Sequence, residues 1–298
     1  MRILITGGSG FLGQAMSRAL TWRGDDVIIL SRHPHLHLAR KTGTQWVSSL
    51  EQVQQPIDAV INLTGANLFS RTWTTRHRQA LRDSRIAVTN DLVRWLCALP
   101  QPPKVLLSGS AIGFYGAGGE QALTEDGTAG TDWASTMVKD WELATAPAVA
   151  AGVRTVLLRT GLVLGEGGLL APLLPLFRFG LGGSLGKGQF WYSWIHLQDW
   201  VNAVLFLLDS TKQQGPFNLT APHPVRYRDF ASALGKSLRR PVWLTPPAWV
   251  LRLLLGERAS LMLGSTKALP ARLEAAGFKW QHERLPEALH DLVQTRLD

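Results

Sequence analysis

TGGSGFLG, residues 6–13, is the stretch from which the architecture of this chain follows. Its last three glycines satisfy the pattern G-x-G-x-x-G. The stretch directly follows the apolar run RILIT (2–6) and opens a segment, residues 11–23, in which apolar side chains recur with helical spacing. Small residues in such a turn let backbone N–H groups approach a pyrophosphate, and the N-terminus of the helix attracts its negative charge. The sequence therefore predicts a phosphate-binding turn between a strand and a helix; a glycine-rich turn without a ligand is the alternative.

The rest of the first 165 residues alternates between apolar runs and helical patterns. Strands are predicted at 27–30, 58–65, 104–110 and 153–165, and helices at roughly 75–99 and 133–150. Strands that are apolar on both faces form a parallel sheet that helices cover on both sides. With right-handed crossovers, this order predicts an α/β fold with a Rossmann-like, doubly wound parallel sheet.

The pattern changes after residue 165. Predicted strands lie at 190–196 and 216–220, and predicted helices lie at 169–179, 198–209, 227–238, 248–255, 258–263, 270–276 and 285–297. We therefore expect two domains. Residues 1–165 form a dinucleotide-binding domain to which residues 196–220 return, and residues 166–195 and 221–298 form a smaller, mainly helical region on the substrate side. A cleft between two such regions is the usual place for a small ligand.

Charge limits the possible partners. The net charge is +9, and the densest basic stretch is SRTWTTRHRQALRDSR, residues 70–85. This stretch fits a solvated helix face, a site for a small anionic ligand or a nucleic-acid surface. The 12 tryptophans are scattered through the chain rather than interleaved with basic residues, so we expect them in the core or in pocket walls. No nucleic-acid partner is therefore expected.

Other residue types indicate a compartment and argue against a metal. The single cysteine, Cys97, cannot form an internal disulfide, which favours a reducing environment. The N-terminus lacks the features of a signal peptide, and no apolar run reaches the roughly 18 residues of a membrane span. We expect a cytoplasmic protein without a membrane partner. His33, His35 and His37 lie close together, but no further ligands are near them in sequence, so no metal site is expected.

The end of the second predicted strand indicates which dinucleotide is bound. Sites for NAD often carry an Asp or Glu there, which accepts hydrogen bonds from the ribose hydroxyls. Here Ser31 and Arg32 occupy this place, while Asp25 and Asp26 precede the strand. Because an arginine can pair with the 2′-phosphate of NADP, the sequence favours NADP. A surface arginine without a ligand is the alternative.

Several segments together resemble a known group of proteins. They are TGGSGFLG, LSRHP, INLTGAN, SGSAIGFYG, RTGLVLG and WIHLQDW. In this order they are similar to the extended short-chain dehydrogenase/reductases, which include nucleotide-sugar epimerases and dehydratases, over about residues 1–220. The chain more closely resembles the bacterial members of an atypical subgroup called epimerase family proteins. Residues 247–278 resemble the C-terminal domain of unknown function of that subgroup.

The resemblance implies a set of cofactor-binding positions. Along the diphosphate these are Gly7, Gly10, Phe11, Leu12 and Gly13; at the adenosine ribose and its phosphate, Ser31 and Arg32; near the adenine, Leu63, Thr64 and Gly65; on the following helix, Arg85; and near the nicotinamide, Val163. For Leu63 and Val163, plain core packing is the alternative. The resemblance also implies a homodimer through the helices near 75–99.

One pair of residues that this superfamily uses is absent. Its enzymes carry Tyr-x-x-x-Lys, in which the lysine lowers the pKa of the tyrosine so that it moves protons near neutrality, while a serine holds the substrate oxygen. None of the 3 tyrosines has a lysine four residues later, and the matching positions fall near Ala134 and Val138. Ser110 matches the serine, and Tyr115 is an added residue. We take Ser110 and Tyr115 as the candidate catalytic residues; a structural role for their turn is the alternative.

The predicted function follows from these residues. It is an NADP-dependent oxidoreductase or epimerase-like enzyme with an unknown small-molecule substrate. The cleft would be shaped by Phe190, Trp191, Tyr192 and Trp194, and an anionic substrate would meet Arg178 or Lys187. The alternative is a non-catalytic NADP-binding sensor or partner-binding module, because a dinucleotide site without a proton relay still binds. Whether the chain is an enzyme stays open at this point.

Three further side chains are weaker candidates for proton transfer. They are Asp132, Lys139 and His196. For His196, together with Asp199 in WIHLQDW, the alternative is that the side chains orient and cap the next helix.

Overall fold

The computed structural model describes residues 1–34, 44–54, 56–68, 71, 73–168, 170–244 and 264–294. The helices predicted at 248–255 and 258–263 lie outside these described residues, as do His35 and His37.

A seven-stranded sheet forms the centre of the molecule. Its strands are β1 (Arg2–Thr6), β2 (Asp26–Leu30), β3 (Thr44–Val47), β4 (Ala59–Asn62), β5 (Val105–Ala111), β7 (Arg154–Thr160) and β11 (Gly215–Leu219). They lie in the order β3-β2-β1-β4-β5-β7-β11, and every pair is parallel. The prediction of a Rossmann-like, doubly wound α/β fold is therefore confirmed. The strand order reverses between β1 and β4, so a ligand crevice is expected at the carboxyl ends of these two strands.

Helices cover both faces of the sheet. The described helices are α1 (Phe11–Trp22), α2 (Thr75–Asp83), α3 (Ile86–Cys97), α4 (Trp133–Leu143), α5 (Ala146–Ala150), α6 (Leu170–Arg178), α7 (Leu197–Asp209), α8 (Tyr227–Ser237), α9 (Ala271–Ala275) and α10 (Leu285–Gln294). Successive residues of β1 point to opposite faces. Ile3 and Ile5 pack with α1 and α7, whereas Leu4 packs with α3 and α5. Burial of each such side chain contributes about 1.5–3 kcal/mol, which explains why the strands read as continuous apolar runs.

Two helices predicted as continuous are each interrupted. Between α2 and α3, the hydroxyl of Ser84 donates to the Leu81 carbonyl at 2.8 Å. Between α4 and α5, the hydroxyl of Thr145 donates to the Glu142 carbonyl at 2.7 Å. Such side-chain bonds satisfy carbonyls at a helix end, and Pro147 in the first turn of α5 fits a new helix start.

Short strands connect the sheet to the second half of the chain. They are β6 (Ala122–Leu123), β8 (Leu162–Leu164), β9 (Trp191–Tyr192), β10 (Trp194–His196), β12 (Val225–Arg226) and β13 (Lys267–Ala268). The pairs are β10 with β8, β12 with β9, and β13 with β6. A second apolar core lies between α6, α8 and α10. Among the described helices, none combines the length and apolarity that a membrane crossing needs.

Candidate functional site

The glycine turn joins the carboxyl end of β1 to the N-terminus of α1. Gly7 has φ +72, and a Cβ there would lie 2.5 Å from the Leu63 carbonyl oxygen. A Cβ on Gly13 would lie 2.3 Å from the Gly7 carbonyl oxygen, so neither position tolerates a side chain. Gly10 caps α1 without a side-chain hydrogen bond, and the first turn of the helix has no acidic residue. The first N–H groups of α1 are therefore offered to an anion, and this cradle of bare backbone fits a diphosphate.

Polar side chains hold the carboxyl ends of three strands together beside this turn. The hydroxyl of Thr64 donates to that of Thr6, which donates to Oδ1 of Asn62, both at 2.7 Å. Nδ2 of Asn62 donates to the hydroxyls of Thr89 at 2.8 Å and Ser108 at 3.2 Å. This network fixes β1, β4 and β5 where the crevice opens. Of the predicted cofactor positions, Thr64 is therefore tied directly to β1.

Arg85 is a buried cation. Its guanidinium donates to the carbonyls of Leu81 at 3.2 Å and Ala66 at 3.0 Å, and lies 5.4 Å from the centroid of the Trp141 ring. Burial lowers the pKa of Arg85 to about 10. Within the described part of the chain, its acceptors are carbonyls and the Ser84 hydroxyl, and none is a carboxylate. Since a buried charge usually has a counter-charge, this arrangement suits a bound anion.

Three other predicted positions lie around the same crevice. Ser31 follows β2, and its Oγ accepts from the His33 amide at 3.2 Å, while Arg32 is exposed. Val163 lies on β8 and is 9% exposed. A Cβ on Gly168 would lie 2.7 Å from the Val163 carbonyl oxygen and 2.9 Å from the Phe11 ring. The turn after β8 thus packs against the residue that opens α1. The packing alternative also fits Leu63 and Val163, because both contact the main core.

The two candidate catalytic hydroxyls belong to one buried network. Ser110 donates to Oε1 of Glu142 at 2.5 Å, and Arg159 binds both carboxylate oxygens of Glu142, at 2.8 and 2.9 Å. Tyr115 donates to Oδ1 of Asn218 at 2.7 Å and accepts from Nη1 of Arg159 at 3.0 Å. Burial raises the pKa of Tyr115, so the phenol keeps its proton. Both hydroxyl protons are directed to buried acceptors inside the fold, and the catalytic assignment stays a prediction.

Apolar side chains fill the region where the superfamily carries its tyrosine and lysine. Val138 is buried in a group of side chains that we call the aromatic cluster. Its members are Leu68, Trp73, Leu81, Ala111, Phe114, Trp133, Met137 and Val138. The rings of Trp73 and Trp133 are 4.8 Å apart. The cluster meets the crevice where β5 ends, at Ala111.

The weaker candidates for proton transfer have structural positions. Asp132 caps α4 by accepting from the Ser135 amide at 2.9 Å, and Lys139 is exposed. His196 caps α7, because its Nδ1 accepts from the Gln198 amide at 3.2 Å.

The residues predicted to shape the substrate cleft are distributed differently from the expectation. Tyr192 and Trp194 are buried in the second core, so they do not line an open cleft. The Trp191 ring contacts two cations: Cζ of Arg226 lies 4.0 Å from its centroid and Nζ of Lys267 lies 4.5 Å from it. Arg178 and Lys187 are exposed. The aromatic stretch 190–194 therefore contributes mainly to packing.

Sequence reasoning missed a group of titratable residues that binds the C-terminal segment. The carboxylate of buried Asp199 accepts from the amides of Gln281 at 2.7 Å and His282 at 2.9 Å. The His196 and His282 rings are 3.9 Å apart, and Oδ2 of Asp291 lies 3.3 Å from Nε2 of His196. The motif WIHLQDW contains only His196 and Asp199. The other members of the group lie more than 80 residues further along the chain, so the motif alone could not predict the group.

This group has the donor atoms of a metal site but not the protonation state. Ligand atoms of His196, Asp199 and His282 lie within 4.8 Å of one another. Nδ1 of His196 accepts a backbone hydrogen bond, so Nε2 carries the proton in the neutral ring and has no lone pair for a metal. The arrangement serves to anchor the chain after α9.

Comparison with known proteins agrees with this geometry. A family model described as the NAD dependent epimerase/dehydratase family matches residues 3–220, and one described as a domain of unknown function matches residues 246–292. Epimerase family protein YfhF of Bacillus subtilis is 36% identical over 301 residues and covers 99% of each chain. Epimerase family protein ML0860 of Mycobacterium leprae is 39% identical and covers 96% of this chain and 94% of the relative.

A solved structure shares the fold over almost the whole length. The crystal structure of human epimerase family protein SDR39U1 with NADPH superposes with a TM-score of 0.90 at 30% identity, covering 99% of both chains. The glycine turn, the strand order and both family matches lead to one conclusion. The chain belongs to the NAD dependent epimerase/dehydratase family, among the epimerase family proteins that carry the additional C-terminal domain.

Proposed function

We propose that this chain binds NADP(H) in the turn after β1 and is an oxidoreductase or epimerase-like enzyme of the extended short-chain dehydrogenase/reductase type. Arg32 is the observation that carries the proposal. It follows β2 at the place where NAD sites often have a carboxylate, and its exposed guanidinium can pair with a 2′-phosphate. The 30% identical human relative, solved with NADPH, supports the same choice.

The other binding residues have separate tasks in this proposal. Gly7, Gly10 and Gly13 let the diphosphate approach bare backbone at the start of α1. Arg85 provides positive charge beneath the loop that contains Gly65, where a Cβ would lie 3.0 Å from the guanidinium carbon. Val163, which packs in the same core as Phe11, would lie near the nicotinamide. When bound, the nicotinamide supplies hydride chemistry, and the residues of this chain bind and orient it.

A second function is favoured by one observation. The hydroxyls of Ser110 and Tyr115 are both engaged in the network of Arg159 and Glu142, and Tyr-x-x-x-Lys is absent. A site of this kind suits a non-catalytic NADP(H) sensor as well as an enzyme. Turnover with any small-molecule substrate distinguishes the two functions.

The organisation of the chain is also part of the proposal. Residues 1–165 and 196–220 hold the cofactor, and residues 166–195 and 221–298 close the substrate side. The homodimer through α2 and α3 is tested by sedimentation at several protein concentrations.

Cofactor choice is tested by titrating the protein with NADPH and with NADH and following the fluorescence of the reduced nicotinamide. We expect NADPH to bind at least about tenfold more tightly, which corresponds to about 1.4 kcal/mol. Arg32→Glu should reverse the preference, because a carboxylate repels the 2′-phosphate and accepts from the ribose. Arg18→Glu makes the same charge change on an exposed residue of α1 and is the matched control. Equal affinities for both cofactors in the wild-type protein would exclude the proposed role of Arg32.

A further inference from the structure

We propose that the partner of NADPH in this site is a flat, conjugated hydride acceptor of the quinone class, rather than a sugar. This inference rests on the proposed NADP(H) binding. It is carried by two observations that meet at the carboxyl end of β5: the direction of the hydroxyl protons and the chemistry of the aromatic cluster.

The first observation concerns protons. Hydride addition to an isolated carbonyl produces an alkoxide, a strong base that an enzyme normally protonates with a positioned acid. Ser110 already donates to Glu142 at 2.5 Å, and Tyr115 already donates to Asn218 at 2.7 Å. Arg159 holds Glu142 and Tyr115 in these positions. Each hydroxyl proton therefore points into the fold, and neither hydroxyl is placed to protonate a substrate.

The second observation concerns the neighbouring surface. The aromatic cluster includes Leu68, which follows β4, and Ala111, the last residue of β5. It therefore lies at the carboxyl ends of β4 and β5, next to the crevice at the ends of β1 and β4. Trp133 is only partly buried, and its ring centroid lies 4.8 Å from that of Trp73, which is 9% exposed. Phe114 is also partly buried, but the Arg159 guanidinium already lies over its ring, 3.6 Å from the centroid. Partly exposed rings stack well on planar, apolar molecules. They offer few hydrogen bonds to the hydroxyls of a sugar, whose burial without partners is costly.

A quinone satisfies both conditions. Hydride transfer from NADPH moves one proton and two electrons together to the quinone, which becomes a hydroquinone anion, while NADPH becomes NADP⁺. The negative charge of this anion is delocalised as in a phenolate, whose conjugate acid has a pKa of about 10, so water can supply the second proton. The balanced reaction is NADPH plus quinone plus one proton giving NADP⁺ plus hydroquinone, and it requires no acid from the protein.

The test follows NADPH oxidation at 340 nm with 2-methyl-1,4-naphthoquinone, a sugar nucleotide and a simple aliphatic ketone as separate acceptors. NADPH affinity and the melting temperature are measured for every variant. We expect turnover with the quinone. Trp133→Ala should lower kcat/KM for the quinone at least about tenfold with unchanged NADPH affinity, and Trp133→Phe should lose less because it keeps a ring. Trp22→Ala removes a tryptophan that is 92% exposed at the end of α1, and it should match the wild-type protein.

Each other result contradicts the inference in a distinct way. Faster turnover of the sugar nucleotide or of the ketone would assign a different acceptor class. Tight NADPH binding without quinone turnover would leave the proposed cofactor site intact but end the acceptor assignment. Equal quinone rates in Trp133→Ala and wild-type protein would place the reaction elsewhere. Failure to bind NADPH would overturn the proposed function itself, and this inference with it.

Discussion

Acid should destabilise this protein through a single buried imidazole, His196. Its pKa lies at about 4 instead of 6.5, because burial disfavours the charged ring and because the adjacent His282 adds repulsion. In the unfolded chain the ring takes up a proton below about pH 6.5, whereas in the folded chain it stays neutral until about pH 4. The unfolded state therefore binds more protons in this interval, and stability that is present above pH 6.5 is lost as the pH falls. The expected loss is on the order of 2–3 kcal/mol between about pH 7.5 and pH 4.5.

The assay is urea unfolding followed by tryptophan fluorescence at the two pH values. His196→Asn removes the titrating ring and keeps a side-chain oxygen that can cap α7. Across this interval, we expect the free energy of unfolding to fall on the order of 2–3 kcal/mol less in the variant than in wild-type protein. Carboxylates titrate in the variant and in wild-type protein alike, so their effect largely cancels when the two losses of unfolding free energy are subtracted. His290→Asn makes the same change on an exposed residue of α10 and should behave as wild type. Equal losses in His196→Asn and wild-type protein would refute the reasoning.

Three further predictions concern the glycine turn and the two buried arginines. Gly13→Ala puts a Cβ 2.3 Å from the Gly7 carbonyl oxygen, so NADPH affinity should fall at least about a hundredfold in a fluorescence titration. Glu142→Gln leaves Arg159 buried without its carboxylate, and chemical denaturation should show a loss of about 3–5 kcal/mol; a loss below about 1 kcal/mol would mean that the pair is not structural. Arg85→Leu removes a buried cation that has no carboxylate partner among the described residues, so the melting temperature without cofactor should hold or rise while NADPH affinity drops about tenfold. A melting temperature that falls sharply would show that Arg85 supports the fold itself.

Local chemistry explains which parts of the fold could be predicted. The glycine turn and the apolar runs predict β1, α1 and the central strands. These features could be predicted because a turn that needs glycine and a strand that is buried on both faces each show in a few consecutive residues. The break between α2 and α3 could not be predicted, since it depends on Ser84 bonding backward to the Leu81 carbonyl rather than facing solvent. β3 was missed because it is a four-residue strand at the edge of the sheet with few buried side chains.

The candidate site likewise has parts that the sequence could predict and parts that it could not. Arg32 and the glycine positions belong to short motifs next to predicted strands, so the sequence could predict their places after β2 and β1, while their contacts with a cofactor stay a prediction. The partners of Ser110 and Tyr115 are Glu142, Arg159 and Asn218, which only the sheet brings together, so the sequence could place the hydroxyls but not the direction of their protons. The expectation that Tyr192 and Trp194 line an open cleft was wrong, because both are buried in the second core. They lie on β9 and β10, strands of two and three residues, which are too short for an alternation of buried and exposed side chains to reveal that core.

The grip of Asp199 on the amides of Gln281 and His282 has a consequence for how this protein can be divided. The two family models match separate ranges, residues 3–220 and 246–292. The C-terminal range is nevertheless hydrogen-bonded to Asp199 at the start of α7, and the backbone amide of Arg272 donates to the Glu125 carboxylate. If the C-terminal domains of two relatives were exchanged, the chain that receives the new domain would therefore need an acidic residue at position 199 to bind it. The two segments should therefore be engineered as a single unit.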